Sequence, residues 1–197
     1  MNPNKFTQKT MEAVQEAQDL SISYQNNCVE QEHLQYALLA DDGGLVPQII
    51  TRMSIDAGAV KTAALKFVEG LPRVTGSGRE AGKILISPDL DKSFTEAEKQ
   101  AQHMKDEYVS VEHLLLALAE KAGSGITGIF RSFGIEKNRL LKAISEIRGS
   151  ARVTSQNPEE TYDVLNKYGQ DLVELARANK LDPVIGRDSE IRHVIRL

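Results

Sequence analysis

The chain has 197 residues, of which 41% are hydrophobic and 26% are charged, as in an ordinary soluble globular protein. Its formal net charge of −4 argues against nucleic-acid binding, which usually requires a strongly basic face. A single cysteine, Cys28, excludes an intramolecular disulfide framework and fits a reducing compartment. No segment resembles a signal peptide or approaches the roughly 20 apolar residues of a membrane span. We therefore expect a cytoplasmic protein without a membrane partner.

An internal repeat relates two halves of the chain. The tripeptide Glu32-His33-Leu34 recurs as Glu112-His113-Leu114, an offset of 80 residues. The same offset aligns apolar positions over the following turns: Val29 with Val109, Ala37 with Ala117, Leu38 with Leu118, Ile49 with Ile129 and Ile55 with Ile135. Because polar identities stay in register with distant apolar ones, the sequence predicts a duplicated structural unit.

Upstream of these positions a different offset gives the better match. Shifting by 84 residues aligns Glu12-Ala13 with Glu96-Ala97 and Tyr24 with Tyr108. This register predicts four extra residues in the first copy, near 25–28. Such an insertion would be tolerated in a surface loop.

Each copy is predicted to contain four helices. In the first copy Thr7 is a candidate N-cap, a second helix covers about 31–40, a third carries Ile49 and Ile50, and a fourth begins near Asp56. Ser87 and Ser110 are the candidate caps of the second copy. Glycine pairs at 43–44 and 123–125 end the second helix of each copy.

Two polar segments and a final helical pattern complete the predicted organisation. We expect a double-repeat domain over 1–148, with repeat one at 1–70 and repeat two at 84–148, joined by a Pro- and Gly-containing connector at 71–78. Residues 149–158 are polar and aperiodic, which predicts a flexible linker. Residues 159–180 predict a further helix. A last helical pattern stops at Leu197, so we expect the natural chain to continue.

The paired Glu-His motifs admit two interpretations. A zinc-protease helix needs two histidines four residues apart with a glutamate between them, whereas Ala37 and Ala117 stand four residues after His33 and His113. We favour helix starts, where a glutamate complements the helix dipole. Cys28 could be a nucleophile, but a lone cysteine beside an apolar helix more often packs.

Several motifs together resemble the N-terminal portion of a Clp-family AAA+ chaperone. They are the Thr7-Gln8-Lys9 start, the two Glu-His-Leu repeats, the 71–74 connector and the run Leu181-Asp182-Pro183-Val184-Ile185-Gly186-Arg187. That last run is typical of the opening segment of the first ATPase domain. The resemblance implies an all-α fold, a duplicated four-helix repeat of the Clp N-domain type with pseudo-twofold symmetry. A linker helix and the truncated start of an AAA+ domain at 159–197 follow it.

The resemblance is strongest to the disaggregase branch of the family. It implies a homohexameric ring that uses ATP and Mg²⁺ to thread polypeptides and works with the DnaK/DnaJ chaperone system. The N-terminal domain would capture unfolded or aggregated polypeptide in an apolar groove. The alternative is the corresponding domain of a ClpA- or ClpC-type unfoldase, which would bind adaptors for a peptidase.

The resemblance also implies particular site residues. Thr7, Asp106 and Glu112 match positions that border the substrate groove, although a helix cap and a helix start would also explain Thr7 and Glu112. The segment Val184, Ile185, Gly186 and Arg187 matches one wall of the adenine pocket. The phosphate loop and Mg²⁺ carboxylate would lie after Leu197. We therefore expect that this chain neither hydrolyses ATP nor binds it tightly. We also expect it to be a monomer.

Overall fold

The computed structural model describes residues 3–74, 85–149 and 151–158, together with 176–177, 187 and 192–193. Two compact units divide the chain, Met1–Tyr162 and Asp163–Leu197. Almost all of the described residues belong to the first unit. Apart from the isolated residues named above, the helix predicted at 159–180 and the opening AAA+ segment lie outside the described part.

The described residues of the first unit form eight α-helices. They are α1 (Gln8–Ser23), α2 (Gln31–Leu38), α3 (Leu45–Arg52), α4 (Ala57–Glu69), α5 (Pro88–Met104), α6 (Val111–Lys121), α7 (Ser124–Phe133) and α8 (Lys137–Arg148). A 3-10 turn covers Pro3–Lys5, and two dipeptide strands, β1 (Cys28–Val29) and β2 (Leu85–Ile86), pair in parallel. The prediction of two four-helix copies is confirmed.

Side-chain caps fix where these helices begin. The Thr7 hydroxyl accepts a hydrogen bond from the Thr10 backbone N–H at 3.2 Å, and the Ser87 hydroxyl accepts one from Leu90 at 3.2 Å. Asp56 accepts from two backbone N–H groups of α4 at 2.9 and 3.2 Å. Each cap satisfies donors that the first helical turn leaves without intrahelical partners. The predicted caps of α1, α4 and α5 are therefore confirmed.

A single 80-residue offset relates the copies throughout, so the predicted 84-residue offset and four-residue insertion are wrong. The N-caps Thr7 and Ser87 are 80 residues apart. The same offset matches buried positions of α1 with buried positions of α5: Thr10, Ala13, Val14, Ala17 and Ser21 with Leu90, Ser93, Phe94, Ala97 and Ala101. The two offsets differ by four residues, about one helical turn, so both align the same faces.

The two copies exchange short extended segments. Phe6 bridges Val109 in parallel, and Val29 pairs with Ile86. The Thr7 N–H donates to the Val109 carbonyl at 3.0 Å, and the Ser87 N–H donates to the Val29 carbonyl at 3.0 Å. These pairs are equivalent under the 80-residue offset. Residues of both copies consequently belong to one buried core, in which the rings of Phe6 and Phe94 meet edge to face at 6.0 Å.

Candidate substrate-binding site

The two Glu-His motifs begin helices. Within each motif the capping group is the histidine and not the preceding Glu32 or Glu112. The Nδ1 atom of His33 accepts a hydrogen bond from the Glu30 N–H at 2.9 Å, and that of His113 accepts from the Ser110 N–H at 2.9 Å. Because Nδ1 is the acceptor, the neutral ring carries its proton on Nε2. Burial lowers the pKa of His33, which favours this neutral form.

The remaining ring nitrogens connect these helix starts to the preceding loops. His33 Nε2 lies 2.9 Å from Asn26 Oδ1, and His113 Nε2 lies 3.0 Å from Asp106 Oδ2. Each histidine therefore bridges a helix start and the loop before it. Among the described residues, no group of three or more histidine, cysteine, aspartate or glutamate side chains is placed to hold a metal ion.

The second copy contains a buried ionic cluster of Asp106, Glu112, His113 and Arg148, which we call the carboxylate cluster. Arg148 Nη2 lies 2.8 and 2.9 Å from the two Asp106 oxygens, and Nη1 lies 3.2 Å from Glu112 Oε1. Both carboxylate side chains are fully buried, and that of Arg148 is 4% exposed. Burial alone would raise the pKa of Asp106, but hydrogen bonds from His113, Val153 and Arg148 hold this pKa below its ordinary value.

The first copy has a different set of residues at the equivalent positions. Asn26, Glu32 and Val68 stand where the second copy has Asp106, Glu112 and Arg148. Val68 is fully buried and apolar. Burial raises the pKa of Glu32, and the nearby charges of Glu30 and Asp89 act in the same direction. The duplicated frame thus holds an arginine-centred ionic cluster in one copy only.

Thr7 is buried at a separate point, where the two copies exchange segments. Its hydroxyl lies 3.0 Å from that of Thr10, which donates to the Val109 carbonyl at 3.0 Å. The structure therefore joins Asp106 and Glu112 through Arg148 and places Thr7 at the exchanged segment. All three residues predicted to border a groove have fully buried side chains in this conformation.

Residues 151–156, which we call the strap, pack against the domain and lie within the flexible linker predicted at 149–158. The Val153 side chain is fully buried. Its N–H donates to Asp106 Oδ1 at 2.8 Å, and its carbonyl accepts from the Glu107 N–H at 2.9 Å. Further along, the Gln156 carbonyl accepts from the Gln8 N–H at 2.8 Å. A single buried apolar residue gives no periodicity, so the sequence pattern did not reveal this contact.

The prediction of a nucleotide-pocket wall at 184–187 falls almost entirely outside the described residues. Val184, Ile185 and Gly186 lie outside the described residues. Arg187 is described by itself and is exposed.

Several large apolar side chains are exposed on the described surface. Leu85 and Ile86 of β2 are 57% and 38% exposed, and Met11 and Ile22 lie exposed on α1. Phe67 of α4 is also partly exposed, with its ring against the backbone of Gly125. No described helix is both long and apolar enough to cross a bilayer.

Two four-helix copies with exchanged segments define an N-terminal domain of the Clp type. The chain belongs to the Clp repeat (R) N-terminal domain family, which matches residues 5–133. Along its whole length it is 47% identical, over 197 residues, to the chaperone protein ClpB of Bacillus cereus, of which it covers 23%. The chain therefore spans about a quarter of that relative, at its N-terminal portion, as the resemblance predicted.

Solved structures show the same fold. The N-terminal domain of Hsp104 from Candida albicans matches with a TM-score of 0.68 and 23% identity, covering 79% of this chain and 99% of that one. A complex of the ClpV N-domain with a VipB peptide matches with a TM-score of 0.58 and 18% identity, covering 77% and 91%. These likenesses confirm the predicted all-α double repeat.

Proposed function

We propose that the chain is the substrate-binding N-terminal domain of an ATP-dependent protein disaggregase of the ClpB type. It would capture unfolded or aggregated polypeptide for threading by a homohexameric ring. The observation that carries this proposal is the 47% identity to ClpB along the entire chain. In the whole protein, ATP and Mg²⁺ would act in the ATPase domains, DnaK/DnaJ would be the partner chaperones, and the location would be the cytoplasm.

The surface of the domain supports polypeptide binding. Leu85 and Ile86 expose two apolar side chains that are consecutive in sequence, and Met11 and Ile22 expose two more at separate points on α1. Exposed apolar groups are the feature that unfolded polypeptides and such a receptor would share. The peptide complex of the ClpV N-domain supports the idea that this fold can present a peptide site.

Thr7, Asp106 and Glu112 remain our proposed border residues of the site. Their side chains are fully buried, so direct contact with a substrate requires a local rearrangement. Val184 to Arg187 remain a proposed part of the adenine pocket of the whole protein. The domain itself would act by binding alone.

The proposal is tested by comparing one probe protein in two states. Reduced, carboxymethylated α-lactalbumin should bind saturably to the chain in fluorescence anisotropy, and the native, disulfide-bonded protein should not. The double variant Leu85→Ser/Ile86→Ser should weaken binding. The double variant Gln15→Ser/Asp19→Ser, which changes an exposed polar pair joined at 3.0 Å, is the matched control.

The outcome also separates the two candidate functions. Equal binding of the native and unfolded probes, or of neither, would contradict the proposal. Binding restricted to a folded partner would favour adaptor docking of the ClpA or ClpC type.

A further inference from the structure

The strap contacts both copies through a small number of backbone groups. At Val153 the backbone is held on two sides, since its N–H donates to Asp106 and its carbonyl accepts from Glu107. At Gln156 the carbonyl accepts from Gln8, the first residue of α1 and the neighbour of Thr7. The strap therefore runs from the carboxylate cluster of the second copy to the start of the first copy.

Only one strap side chain is anchored in the interior. Val153 is fully buried, whereas Ala151, Arg152, Thr154, Ser155 and Gln156 are all exposed. A segment held by one apolar side chain and a few hydrogen bonds belongs to the part of a protein that opens most easily. The helices beneath it are held by an extensive buried core. Opening of the strap would therefore leave the side chains of that core in place.

The first copy holds an extended segment at the equivalent place. Asn26 Nδ2 donates to the Pro72 carbonyl at 3.0 Å, and Val74 N–H donates to the Gln25 carbonyl at 2.8 Å. Asn26 corresponds to Asp106, and 72–74 corresponds to 152–154, under the 80-residue offset. In both copies the loop between the first and second helix accepts a chain in extended conformation. Both repeats therefore share the ability to hold an extended segment at this loop.

The second copy differs in the group that holds the segment. The neutral amide of Asn26 donates to the Pro72 carbonyl, whereas the carboxylate of Asp106 accepts from the Val153 N–H. Arg148 fixes the orientation of that carboxylate. A hydrogen bond from a backbone N–H to a carboxylate is about twice as strong as one between neutral groups. The site at Asp106 is thus the stronger receptor for an extended backbone.

We propose that the strap is a displaceable internal occupant of a binding site for extended polypeptide. The site consists of Asp106 as acceptor, the Glu107 N–H as donor and the pocket that holds Val153. Its ligand would be an extended segment with one β-branched or similarly small aliphatic side chain at the pocket. Only that side chain would be selected, because the neighbouring strap residues are exposed. This inference rests on the proposed function and gives the buried Asp106 carboxylate a route to a substrate backbone.

Amide hydrogen exchange of the full chain tests whether the strap opens separately. Val153→Ser removes the apolar anchor, and Thr154→Ser, at the exposed neighbour, is the matched control. In Val153→Ser the amides of Glu107 and Gln8 should exchange at least about tenfold faster, which corresponds to about 1.4 kcal/mol. The amide of Leu116, buried in α6, should be unchanged. Equal acceleration at Leu116 would mean global destabilisation and would overturn the proposal.

Binding experiments test whether the vacated site takes a ligand. A synthetic peptide with the sequence of residues 151–158 should restore protection of the Glu107 amide in Val153→Ser and leave the unaltered chain unchanged. Carboxymethylated α-lactalbumin should bind Val153→Ser more tightly than the unaltered chain, by the factor that exchange gives for opening. Unchanged affinity for the probe, or no protection by the peptide, would overturn the proposal.

The two proposals fail in different ways. If neither the unaltered chain nor Val153→Ser binds the unfolded probe, the proposed function fails, while the exchange and peptide experiments still report on the strap. If the unaltered chain and Val153→Ser bind the probe equally, the proposed function stands and its site lies elsewhere.

Discussion

Replacing Arg148 with methionine tests how the carboxylate cluster stabilises the domain. Methionine keeps an unbranched side chain in α8 but removes the guanidinium that lies within 2.8–3.2 Å of Asp106 and Glu112. Both carboxylates are fully buried, so neither can exchange its lost partner for bulk water. Removing one member of a buried ion pair typically destabilises a protein by about 3–5 kcal/mol.

The expected loss is large enough to measure by thermal and urea unfolding. For a domain of this size, about 2–4 °C of melting temperature is lost per kcal/mol. We therefore expect a decrease of about 6–20 °C for Arg148→Met. The control is Arg52→Met, which removes a guanidinium 2.9 Å from Glu146 at a site where the arginine side chain is 57% exposed. An exposed pair contributes about 0–1 kcal/mol.

The pH dependence adds a second test of the same reasoning. In the unaltered domain the lowered pKa of Asp106 stabilises the fold above the unfolded pKa of about 3.9, and this contribution disappears as the pH falls through the folded pKa. In Arg148→Met protonation can relieve the buried Asp106 carboxylate, so the stability difference between variant and parent should shrink as the pH falls. If Arg148→Met lowered the melting temperature no more than Arg52→Met does, the inference that the carboxylate cluster is shielded from water would be refuted.

Four further predictions concern single residues. Burial lowers the pKa of His33, so the free energy of unfolding should decrease as the pH falls below about 6.5, by at most about 1.4 kcal/mol per pH unit. Urea titrations of His33→Gln should lack this pH dependence. Gly125→Ala should destabilise by about 1–3 kcal/mol, because a Cβ there would lie 2.9 Å from the Phe67 ring. Gly128→Ala, where nothing lies within 4 Å, should stabilise by up to about 1 kcal/mol in the same melts. Burial raises the pKa of Cys28 to about 11, so iodoacetamide at about pH 8 should alkylate the native chain far more slowly than the urea-unfolded chain.

The helices, most of their caps and the duplication could be predicted from the sequence, because these features depend on local patterns. Thr7, Asp56 and Ser87 cap helices as predicted. The offset of α1 against α5 was misjudged for a physical reason. A shift of four residues turns an α-helix by little more than one full turn, so the apolar faces still coincide. Only the caps and the exchanged segments distinguish the two registers.

The interior of the candidate site depends on contacts that no local pattern encodes. Asp106 and Arg148 are separated by 42 residues, and their pairing has no counterpart in the first copy. Val153 is a single apolar residue in a polar segment, and its burial depends on the shape of the surface beneath it. The resemblance therefore suggested Asp106 as a site residue, a prediction that stays untested, but could not indicate that Asp106 holds the chain's own backbone.

The exchange of extended segments between the copies has a consequence for how the domain is made. During synthesis the first copy leaves the ribosome with Phe6 and Val29 lacking the residues that they pair with, since Ile86 and Val109 are translated later. Contacts between residues so distant in sequence slow folding, because the loop between them must close first. The first half should remain incompletely structured until the second emerges, and the two halves should then fold together in one cooperative step.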